Sequence, residues 1–392
     1  MGTSKGRGPT IAKDVNRQII YRQMKHNRET TRVDLARTLN LHKNTVNAII
    51  GEFMETGFVE ELGQQAQSGA GRKATVIQFQ ARNKWAIGVQ ITSDVIHWAV
   101  TDLYAQPIAS YSVPLRDAAP DNVVQSLLSE ADKLLVTYGA EACVGMCIGI
   151  PGLMEEHRSS IIHSSHLSWQ HVPLLALLKD RLSIPLKLDN SVKLASLGEQ
   201  WHGSGSGSND FAYCYFGNGV GCSLVASGSV VRGSVGAAGE LGHFVLEPDG
   251  PLCGCGNRGC LEALVSLPAL LRQISEADGA GSSEPLSWET VLDRLHHKDP
   301  VVLEVLRGAG RTIGQALSYV VNLLNPKLVV CDGPLMQASS ILFPHIESEL
   351  QRRCLSAVIP VRVARSELYP YASCIGAAAD AIQTWEAATY PL

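Results

Sequence analysis

The sequence lacks the long apolar runs that carry a chain into or across a membrane. Its 392 residues contain no stretch of eighteen apolar residues, and the opening MGTSKGRGPT is polar and unlike a signal peptide. With 45% hydrophobic and 18% charged residues, the composition is typical of a globular chain. We therefore expect a cytoplasmic protein with no membrane segment, long enough for two or three domains.

The chain has little net charge, −4 in all, but the two signs are unevenly distributed. Residues 1–82 carry 13 basic and 7 acidic side chains, whereas residues 83–392 carry 20 basic and 30 acidic ones. A basic N-terminal part, with a balance of +6, favours contact with a polyanion. We divide the chain at this point into two predicted domains, 1–82 and 83–392.

Hydrophobic periodicity predicts three helices near the N-terminus. They cover residues 14–27, about 32–39 and about 43–55, with a break at Asn40-Leu41-His42 before the third. Apolar residues of the third segment recur at helical spacing and would seat it on the first two helices. The outer face at its N-terminus carries Lys43, Asn44, Thr45 and Asn47. Such a face fits the major groove of DNA, so the pattern predicts a helix-turn-helix with its recognition helix.

Two short strands are predicted directly after the third helix. Residues 58–62 and 74–79 have strand composition and flank a tip, 63–73, that is rich in Gly, Gln and Ser. The tip ends in Gly71-Arg72-Lys73, and an arginine on a flexible loop suits a narrow minor groove. Arg72 and Lys73 are therefore candidate DNA contacts, with a solvated hairpin tip as the alternative. The unit has the order of a winged helix-turn-helix, and an ordinary small α/β domain is its alternative.

Three of the ten cysteines are concentrated between residues 253 and 260. Thiols stay reduced in the cytoplasm, so clustered cysteines indicate a metal site more than disulfides. The four candidate ligands are His243, Cys253, Cys255 and Cys260. Three thiolates and one imidazole form a closed tetrahedral set that zinc prefers, and Gly254, Gly256 and Gly259 would let the loop 243–260 wrap around the ion. We predict a structural Zn2+ site, since catalytic zinc keeps one position open; unligated thiols are the alternative.

Two glutamates are close to the predicted zinc ligands in the sequence. Glu240 is three residues before His243, and Glu262 is two residues after Cys260. A rigid zinc loop would hold both carboxylates in place, and carboxylates accept hydrogen bonds from the hydroxyl groups of a sugar. The ring nitrogen of His243 that does not bind zinc could point toward the same ligand. Taken alone, each glutamate is more often an ordinary surface charge.

These motifs and several others resemble the ROK family of repressors, open reading frames and kinases, and the resemblance covers nearly the whole chain. The matching segments occur in the family's order. They are the helix-turn-helix and wing, residues 87–89, 149–152, 188–190, 195–199, 217–221 and 238–243, the zinc cluster, and Asn325-Pro326 before 328–330. The stretches AGELGH and CGCGNRGCLE are the most specific of these segments.

The resemblance implies an α/β fold in which the winged helix-turn-helix precedes a two-lobed, actin/hexokinase-like (ribonuclease H-like) body. A sugar would bind between the lobes. The family's sugar contacts correspond to Asn190, Glu240, His243 and Glu262, and its zinc ligands correspond to the four residues given above. The catalytic base of the family's kinases should directly follow Asn190, and here that position is Ser191.

Ser191 decides between a kinase and a sensor. A sugar kinase uses a carboxylate to accept the hydroxyl proton, which a serine cannot replace, although Ser191 can still form a hydrogen bond to a sugar. The first phosphate loop also departs from the family, because residues 90–94 read QITSD and lack the glycines of D-x-G-G-T. Asp332-Gly333 stands where the family has Gly-Gly. The second loop, 217–221, is either a phosphate loop or a tight hairpin.

The sequence thus predicts a transcriptional repressor without enzymatic activity, released from DNA by a monosaccharide inducer. A homodimer or higher homo-oligomer on a palindromic operator in double-stranded DNA is the expected geometry, since one module binds weakly and a change of spacing can release the DNA. Two alternatives stay open. One is an ATP-dependent sugar kinase with a DNA-binding head, and the other is a repressor controlled by a protein partner.

One segment of the sequence bears on the identity of the sugar. Residues 164–169 are similar to those of the family's xylose repressors, which favours xylose and its catabolic genes, with glucose and N-acetylated hexosamines as alternatives.

Five histidines lack the spacing of a metal site and are interpreted as surface or core-edge residues: His97, His157, His163, His166 and His171. The segment 203–209 is interpreted as a flexible loop near the cleft, and the interdomain linker is predicted at 81–84.

Overall fold

The computed structural model describes residues 9–64, 75–155, 157–279, 285–356 and 360–390. The N-terminal module begins with three helices and ends with two strands. Its elements are α1 (Pro9–Asn27), β1 (Glu29–Thr31), α2 (Arg32–Thr38), α3 (Lys43–Glu55), β2 (Val59–Gln64) and β3 (Thr75–Phe79). The helix bounds of α3 agree with the prediction, α1 begins earlier than predicted, and the three-residue strand β1 was not predicted. The tip of the wing, with Arg72 and Lys73, lies outside the described residues.

Local sequence explains how the module forms. The side chain of Thr31 accepts a hydrogen bond from the Asp34 amide at 3.1 Å and so caps α2. In α3 the buried residues recur at helical spacing: Val46, Ile49, Ile50 and Phe53. Strand β3 lies between β1 and β2, and all three strands are antiparallel to their neighbours. The predicted winged helix-turn-helix is confirmed as a fold.

The first lobe of the body follows. Its elements are β4 (Trp85–Ile91), β5 (Val95–Asp102), β6 (Pro107–Pro114), α4 (Pro120–Tyr138), β7 (Cys143–Ile150), β8 (Leu153–Met154), β9 (Ile161–Ser164), β10 (Trp169–Val172), α5 (Leu174–Lys179) and β11 (Leu186–Asn190). The main sheet has the order β11-β7-β4-β5-β6, with β11, β7 and β4 parallel. Strands β8, β9 and β10 form a small antiparallel sheet beside it.

The second lobe repeats this plan. Its elements are α6 (Ser191–His202), β12 (Phe211–Phe216), β13 (Val220–Ala226), β14 (Ser229–Val230), α7 (Leu261–Val265), α8 (Leu267–Ala277), α9 (Trp288–His296), α10 (Pro300–Leu324), β15 (Leu328–Asp332), α11 (Ser339–Arg353) and β16 (Arg362–Arg365). The last helix, α12 (Ala372–Thr389), returns to pack on the sheet of the first lobe. The sheet order is β14-β13-β12-β15-β16, again three antiparallel strands followed by parallel ones. Two lobes of the same topology confirm the predicted actin/hexokinase-like α/β body.

Helices α6 and α12 pack closely against each other between the two sheets. A Cβ on Gly376 would lie 1.7 Å from the carbonyl oxygen of Leu194, and one on Gly198 would lie 2.2 Å from that of Ala372. Strand β4 approaches α12 in the same way, since a Cβ on Gly88 would lie 1.8 Å from the Cys374 carbonyl oxygen. Glycine is required at these positions because larger residues would separate the elements.

The far end of α12 contacts the N-terminal module. Tyr390 stacks on Tyr21 of α1 with ring centroids 4.2 Å apart. Glu386 accepts hydrogen bonds from the Tyr21 hydroxyl at 2.8 Å and from Lys25 at 2.6 Å. The predicted linker is a short turn, Ala81–Asn83, whose Ala81 is buried and whose carbonyl accepts the Leu103 amide. Module and body therefore share one continuous buried cluster, and the linker is not a free spacer.

Within the described ranges, no helix combines the length and apolar character needed to cross a lipid bilayer.

Candidate functional site

The loop between β14 and α7 brings the four predicted zinc ligands together. One ligand atom from each of His243, Cys253, Cys255 and Cys260 lies within 4.8 Å of the others. The loop is held by backbone hydrogen bonds, among them the Cys253 amide to the Asn257 carbonyl at 2.8 Å. Gly259 is required here, because a Cβ would lie 1.5 Å from the Glu247 oxygen. Gly256 has a φ of +95°, but Gly254 has open space and no positive φ, so it is not needed for the turn as predicted.

The donor set fits zinc. The Cys253 sulfur lies 3.7 Å from His243 Nδ1, and the sulfurs of Cys255 and Cys260 are 3.7 Å apart. Cys253 and Cys260 are buried, whereas Cys255 is exposed. Burial and the neighbouring thiols raise the pKa of Cys260, and a bound cation would favour its thiolate form. The backbone amide of Asn257 lowers the pKa of Cys255.

Both predicted glutamates lie beside the four candidate metal ligands. The Nδ1 atom of His243 faces Cys253, and its Nε2 atom lies 4.0 Å from a carboxylate oxygen of Glu240. Glu262, in the first turn of α7, accepts a hydrogen bond from the Val220 amide at 3.0 Å, and its other oxygen lies 3.9 Å from the Cys253 sulfur. His243 can therefore bind a metal through Nδ1 while its Nε2 atom stays on the side of Glu240, and the sequence prediction that this nitrogen points toward a bound sugar stays a prediction.

Asn190 and Ser191 lie where β11 passes into α6. The side-chain oxygen of Asn190 caps the helix by accepting the amides of Val192 and Lys193 at 3.0 and 3.2 Å, and its amide nitrogen donates to the Gly152 carbonyl at 3.2 Å. Strands β7 and β11 are parallel neighbours, so both of their carboxyl ends meet at this point, the usual position of ligands in such sheets. Ser191 is the first residue of α6 and is 5% exposed.

The start of α6 also contacts the segment that leads to the metal loop. A Cβ on Gly221 of β13 would meet the Val192 side chain at 2.7 Å. The ammonium of Lys193 donates a hydrogen bond to the carbonyl of Gly236, four residues before Glu240. The predicted residues of β11 and α6 are thereby joined to those of the second lobe through Val192 and Lys193.

Sequence reasoning missed a charged cluster at this place, made of Arg158, Asp189, Lys193 and Arg232. Asp189 is 3% exposed and pairs with both arginines. Arg232 is distant from Asp189 in the chain, so no local pattern joins the two. Lys193, in the first turn of α6 and two residues after Ser191, is the sequence signal that could have indicated the cluster.

His166 is exposed, which agrees with the prediction of a surface or core-edge residue. A Cβ on Gly219 would lie 2.5 Å from its ring and 2.8 Å from a Glu262 oxygen. The ring therefore lies beside a predicted sugar contact. Its segment, 164–169, is the one that resembled the xylose repressors.

The second glycine-rich loop is a tight hairpin between β12 and β13. The Gly217 amide bonds to the Gly219 carbonyl at 3.0 Å, and the Tyr215 ring lies against Gly217, where a Cβ would be 2.6 Å from the hydroxyl. Its glycines thus give room to the protein's own side chains. Residues 90–94 end β4 and form the short turn into β5, where Thr92 donates to the Val95 carbonyl at 2.8 Å.

A buried acidic group lies at the carboxyl end of the second sheet. Glu199 accepts hydrogen bonds from the Ser366 hydroxyl at 2.5 Å and the Ser204 amide at 2.8 Å. Asp332 accepts the Tyr213 hydroxyl and the Gly333 amide, both at 2.6 Å. Burial raises the pKa of Glu199 to about 7 and also raises that of Asp332. Ser204, in the segment predicted to be a flexible loop, is thus bonded to the core.

On the N-terminal module, the predicted DNA-contacting side chains occupy one end of α3. Lys43, Asn44 and Asn47 are exposed, and Thr45 is half-buried. The His42 side chain caps the helix by accepting the Asn44 amide at 3.3 Å. The polar start of the helix is therefore exposed, as a helix that enters a DNA groove requires, while its apolar stripe faces the module's core.

A model of the ROK family matches residues 86–384. The chain belongs to the ROK family. Its relatives include the xylose repressor of Bacillus spizizenii, 26% identical over 347 residues that cover 88% of each chain. They also include the N-acetylglucosamine repressor of Escherichia coli O157:H7, 27% identical over 375 residues that cover 94% of this chain and 92% of the repressor.

Solved structures of ROK proteins show the same fold. A ROK family transcriptional regulator described as a homologue of the E. coli MLC protein superimposes with a TM-score of 0.81 at 24% identity, covering 97% of this chain and 98% of its own. A ROK family glucokinase from Streptomyces griseus, solved with glucose and AMPPNP, has a TM-score of 0.67 at 25% identity, covering 76% of this chain and 99% of its own. The fold is thus shared by a regulator along its full length and by a kinase along the body.

Proposed function

We propose that this protein is a DNA-binding transcriptional repressor whose body, residues 83–392, senses a sugar and whose module, residues 1–82, binds an operator. One observation carries the proposal: a winged helix with an exposed polar recognition face is joined through α12 to a kinase-like body that has Ser191 in place of a catalytic carboxylate. The two relatives are named as repressors, each of a different sugar pathway, which supports this reading over an enzymatic one.

The DNA contacts of the proposal are Lys43, Asn44, Thr45 and Asn47 at the start of α3, with Arg72 and Lys73 on the wing. An asparagine side chain can form two hydrogen bonds to one adenine, whereas a lysine side chain contacts guanine or phosphate. The expected partner is double-stranded operator DNA bound by a homodimer, because two recognition helices on a two-fold axis match a palindrome.

The sugar contacts of the proposal are Asn190, Ser191, Glu240, His243 and Glu262. A route to the DNA exists within the chain, since α6 begins at Ser191, packs along α12, and α12 ends on Tyr21 of the module. A ligand that favours one position of α6 would shift the module with it. The inducer would thereby lower the affinity of the dimer for its operator.

Selection of bound duplexes from a random pool, followed by fluorescence anisotropy, tests DNA binding. We expect Asn44→Ala and Asn47→Ala each to weaken binding to the selected duplex by about tenfold or more. Lys43→Ala should weaken it and reduce its salt dependence, whereas Lys179→Ala, an exposed lysine on the body, should change nothing. Equal binding by wild type and both asparagine variants would contradict the proposed interface.

Adding monosaccharides to the protein–operator complex tests the sensor. Xylose, glucose and N-acetylglucosamine form the first panel, and release of the duplex by one sugar class supports the proposal. Failure of every sugar to weaken binding would favour control by a protein partner. Incubation with ATP and the same sugars addresses the kinase alternative, because phosphorylated product would show that Ser191 does not abolish phosphoryl transfer.

The zinc of the proposal is structural. Three thiolates and the His243 imidazole fill all four positions, so the ion fixes the loop that carries Glu240 and Glu262 and adds folding energy. Elemental analysis should give one zinc per chain. Cys260→Ser should lose the metal and more than about 4 kcal/mol of stability, whereas Cys354→Ser, a half-buried cysteine outside the cluster, should keep it. Equal metal content in both variants would contradict the site.

A further inference from the structure

The chain passes between the two lobes of the body twice, and a helix follows each crossing point. It leaves the sheet of the first lobe through α6, and it returns from the sheet of the second lobe into α12. Both helices begin at the carboxyl ends of first-lobe strands. Ser191 directly follows β11, and a Cβ on Gly149 of β7 would lie 2.8 Å from the Ser373 hydroxyl of α12. A rotation between the lobes is absorbed at such crossings, because hinges are element-terminal residues.

The far ends of both helices contact one residue of the DNA-binding module. Lys25, near the end of α1, has its ammonium 2.6 Å from a Glu386 carboxylate oxygen in α12 and 5.3 Å from the centre of the Trp201 ring in α6. Only 15% of the lysine side chain is exposed, so both contacts are shielded from water and stronger than at an open surface. One side chain of the module therefore touches both helices that connect the lobes.

A residue of the first lobe lies at the same place. Tyr104, in the turn between β5 and β6, donates a hydrogen bond from its hydroxyl to the Lys25 carbonyl at 3.0 Å. Its own carbonyl accepts one from Nε2 of His202, the last residue of α6, at 2.7 Å. The guanidinium of Arg28, directly after α1, lies 4.7 Å from the centre of the Tyr104 ring. The end of α1 is thus held between α6, α12 and the first lobe.

The direction of the Lys25 side chain separates it from an ordinary surface lysine. Lys13, on the same helix, is 57% exposed and pairs with Glu52 of the module itself. The ammonium of Lys25 instead reaches out of the module to α12 and α6, whose residues are more than 170 positions away in the chain. A displacement of either helix therefore acts directly on α1, and through the shared core of the module on the recognition helix α3.

We propose that Lys25 is a positioning residue that couples the ligand site of the body to DNA binding, by transmitting a displacement of α6 to the module. This inference rests on the proposed repressor function and specifies how its two parts communicate. Packed helices shift by about 1–2 Å in such transitions. A shift of α6 by that distance would carry Trp201 past Glu386, and the ammonium holds both partners in one of the two positions only.

Hydrogen exchange on the full-length protein tests the inference with DNA alone. The probe is the duplex selected for the anisotropy experiment, and the readout is amide exchange in α3 and in the first turn of α6. Coupling between two sites is reciprocal, so duplex binding should change exchange at the start of α6 by about fivefold or more, although DNA contacts only the module. Protection of α3 reports binding itself.

Variants assign the coupling to Lys25. Lys25→Met and Trp201→Leu should each abolish the exchange change at α6 while α3 stays protected by the duplex. Lys25→Arg keeps a cation that pairs with Glu386 and stacks on Trp201, so it should restore the change. Lys13→Met, the matched control on α1, should behave as wild type. Trp201→Leu keeps the ion pair with Glu386, so it provides the test even where Lys25→Met fails to fold.

The sugar panel gives a second readout. For any of xylose, glucose and N-acetylglucosamine that releases the duplex from wild type, the operator affinity of Trp201→Leu should change by less than about twofold on addition of that sugar. Calorimetry should show unchanged binding of the sugar to the variant, because the joint with α1 lies at the opposite end of α6 from Ser191.

The outcomes distinguish this coupling from the repressor function. Duplex binding that protects α3 but leaves α6 unchanged in wild type refutes the coupling and leaves DNA binding established. An exchange change at α6 that persists in Lys25→Met and Trp201→Leu refutes the role of Lys25. Absence of duplex binding by wild type overturns the repressor function and the coupling together.

Discussion

Helices α3 and α6 invite comparison because they are similar in length and composition but differ in surroundings. They have 13 and 12 residues, and each is capped by a polar side chain, His42 or Asn190. In α3 the first turn exposes Lys43 and Asn44 to solvent. In α6 the buried residues include polar and charged ones: Ser191, Lys193, Ser196 and Glu199. A polar helical face in a sequence is therefore either exposed to solvent, as in α3, or buried against other elements, as in α6.

The packing partners cause this difference. Helix α3 packs against the module's core on one side only, so a single apolar stripe is enough for its packing. Helix α6 lies between α12 and strands β12 and β13, and its polar groups are bonded inside, for example Ser196 to Ser223 at 2.8 Å. Buried polar groups need such partners, because an unmatched one costs about 1–3 kcal/mol. The comparison teaches that α6 is constrained on both faces and α3 on one.

The largest expected effect comes from alanine at the glycine of each helix. Gly198→Ala should destabilise the protein by about 3 kcal/mol, since its Cβ would lie 2.2 Å from the Ala372 oxygen and separate α6 from α12. Gly51→Ala in α3 has no atom within 4 Å of its Cβ and should stabilise by about 0.5–1 kcal/mol. Urea unfolding of both variants measures the change in the free energy of unfolding. Changes of the same sign would contradict the difference in packing between α3 and α6.

A smaller effect concerns the buried carboxyl group of α6. Burial raises the pKa of Glu199 to about 7 from the unfolded value of 4.5, so the folded state keeps its proton to higher pH than the unfolded state. Stability from this group is complete below pH 4.5 and is lost as the pH rises through 7. We expect Glu199→Gln to remove roughly 2 kcal/mol of this pH dependence.

Glu52→Gln in α3 is the matched control, because Glu52 is partly exposed and pairs with Lys13. Glu52→Gln should leave the dependence of the free energy of unfolding on pH unchanged between pH 5 and 7. Urea unfolding midpoints across that range measure this dependence. An unchanged slope in Glu199→Gln as well would show that the buried carboxyl is ionised in the folded state.

The smallest effect should come from the two caps. Asn190→Ala removes two accepted hydrogen bonds and one donated to Gly152, and should cost about 1–2 kcal/mol. His42→Ala removes a single 3.3 Å bond at an exposed site and should cost about 0.5 kcal/mol or less. Chemical denaturation measures both, and a larger loss in His42→Ala would reverse the order.

Much of the architecture could be predicted from local pattern. The bounds of α3 followed from helical periodicity, and the His/Cys cluster that could hold a metal followed from cysteine spacing with glycine between, because both signals are local in the sequence. The three-residue strand β1 has too few residues for a period, and its pairing with β3 spans nearly fifty positions. The packed turn at Ala81 was likewise hidden, because a linker's burial depends on the elements around it.

The sequence by itself predicted the winged helix and the ligands of the candidate metal site. Through the family pattern, it also predicted that Ser191 stands where the family's kinases have the catalytic base. Only the tertiary structure decided that Arg232 and Arg158 share Asp189, that Lys193 is buried beside them, and that α12 packs against α6 while its far end contacts Tyr21. The physical reason is range. Periodicity and spacing report neighbours along the chain, whereas the charge balance of a site depends on side chains that meet only when two lobes fold together.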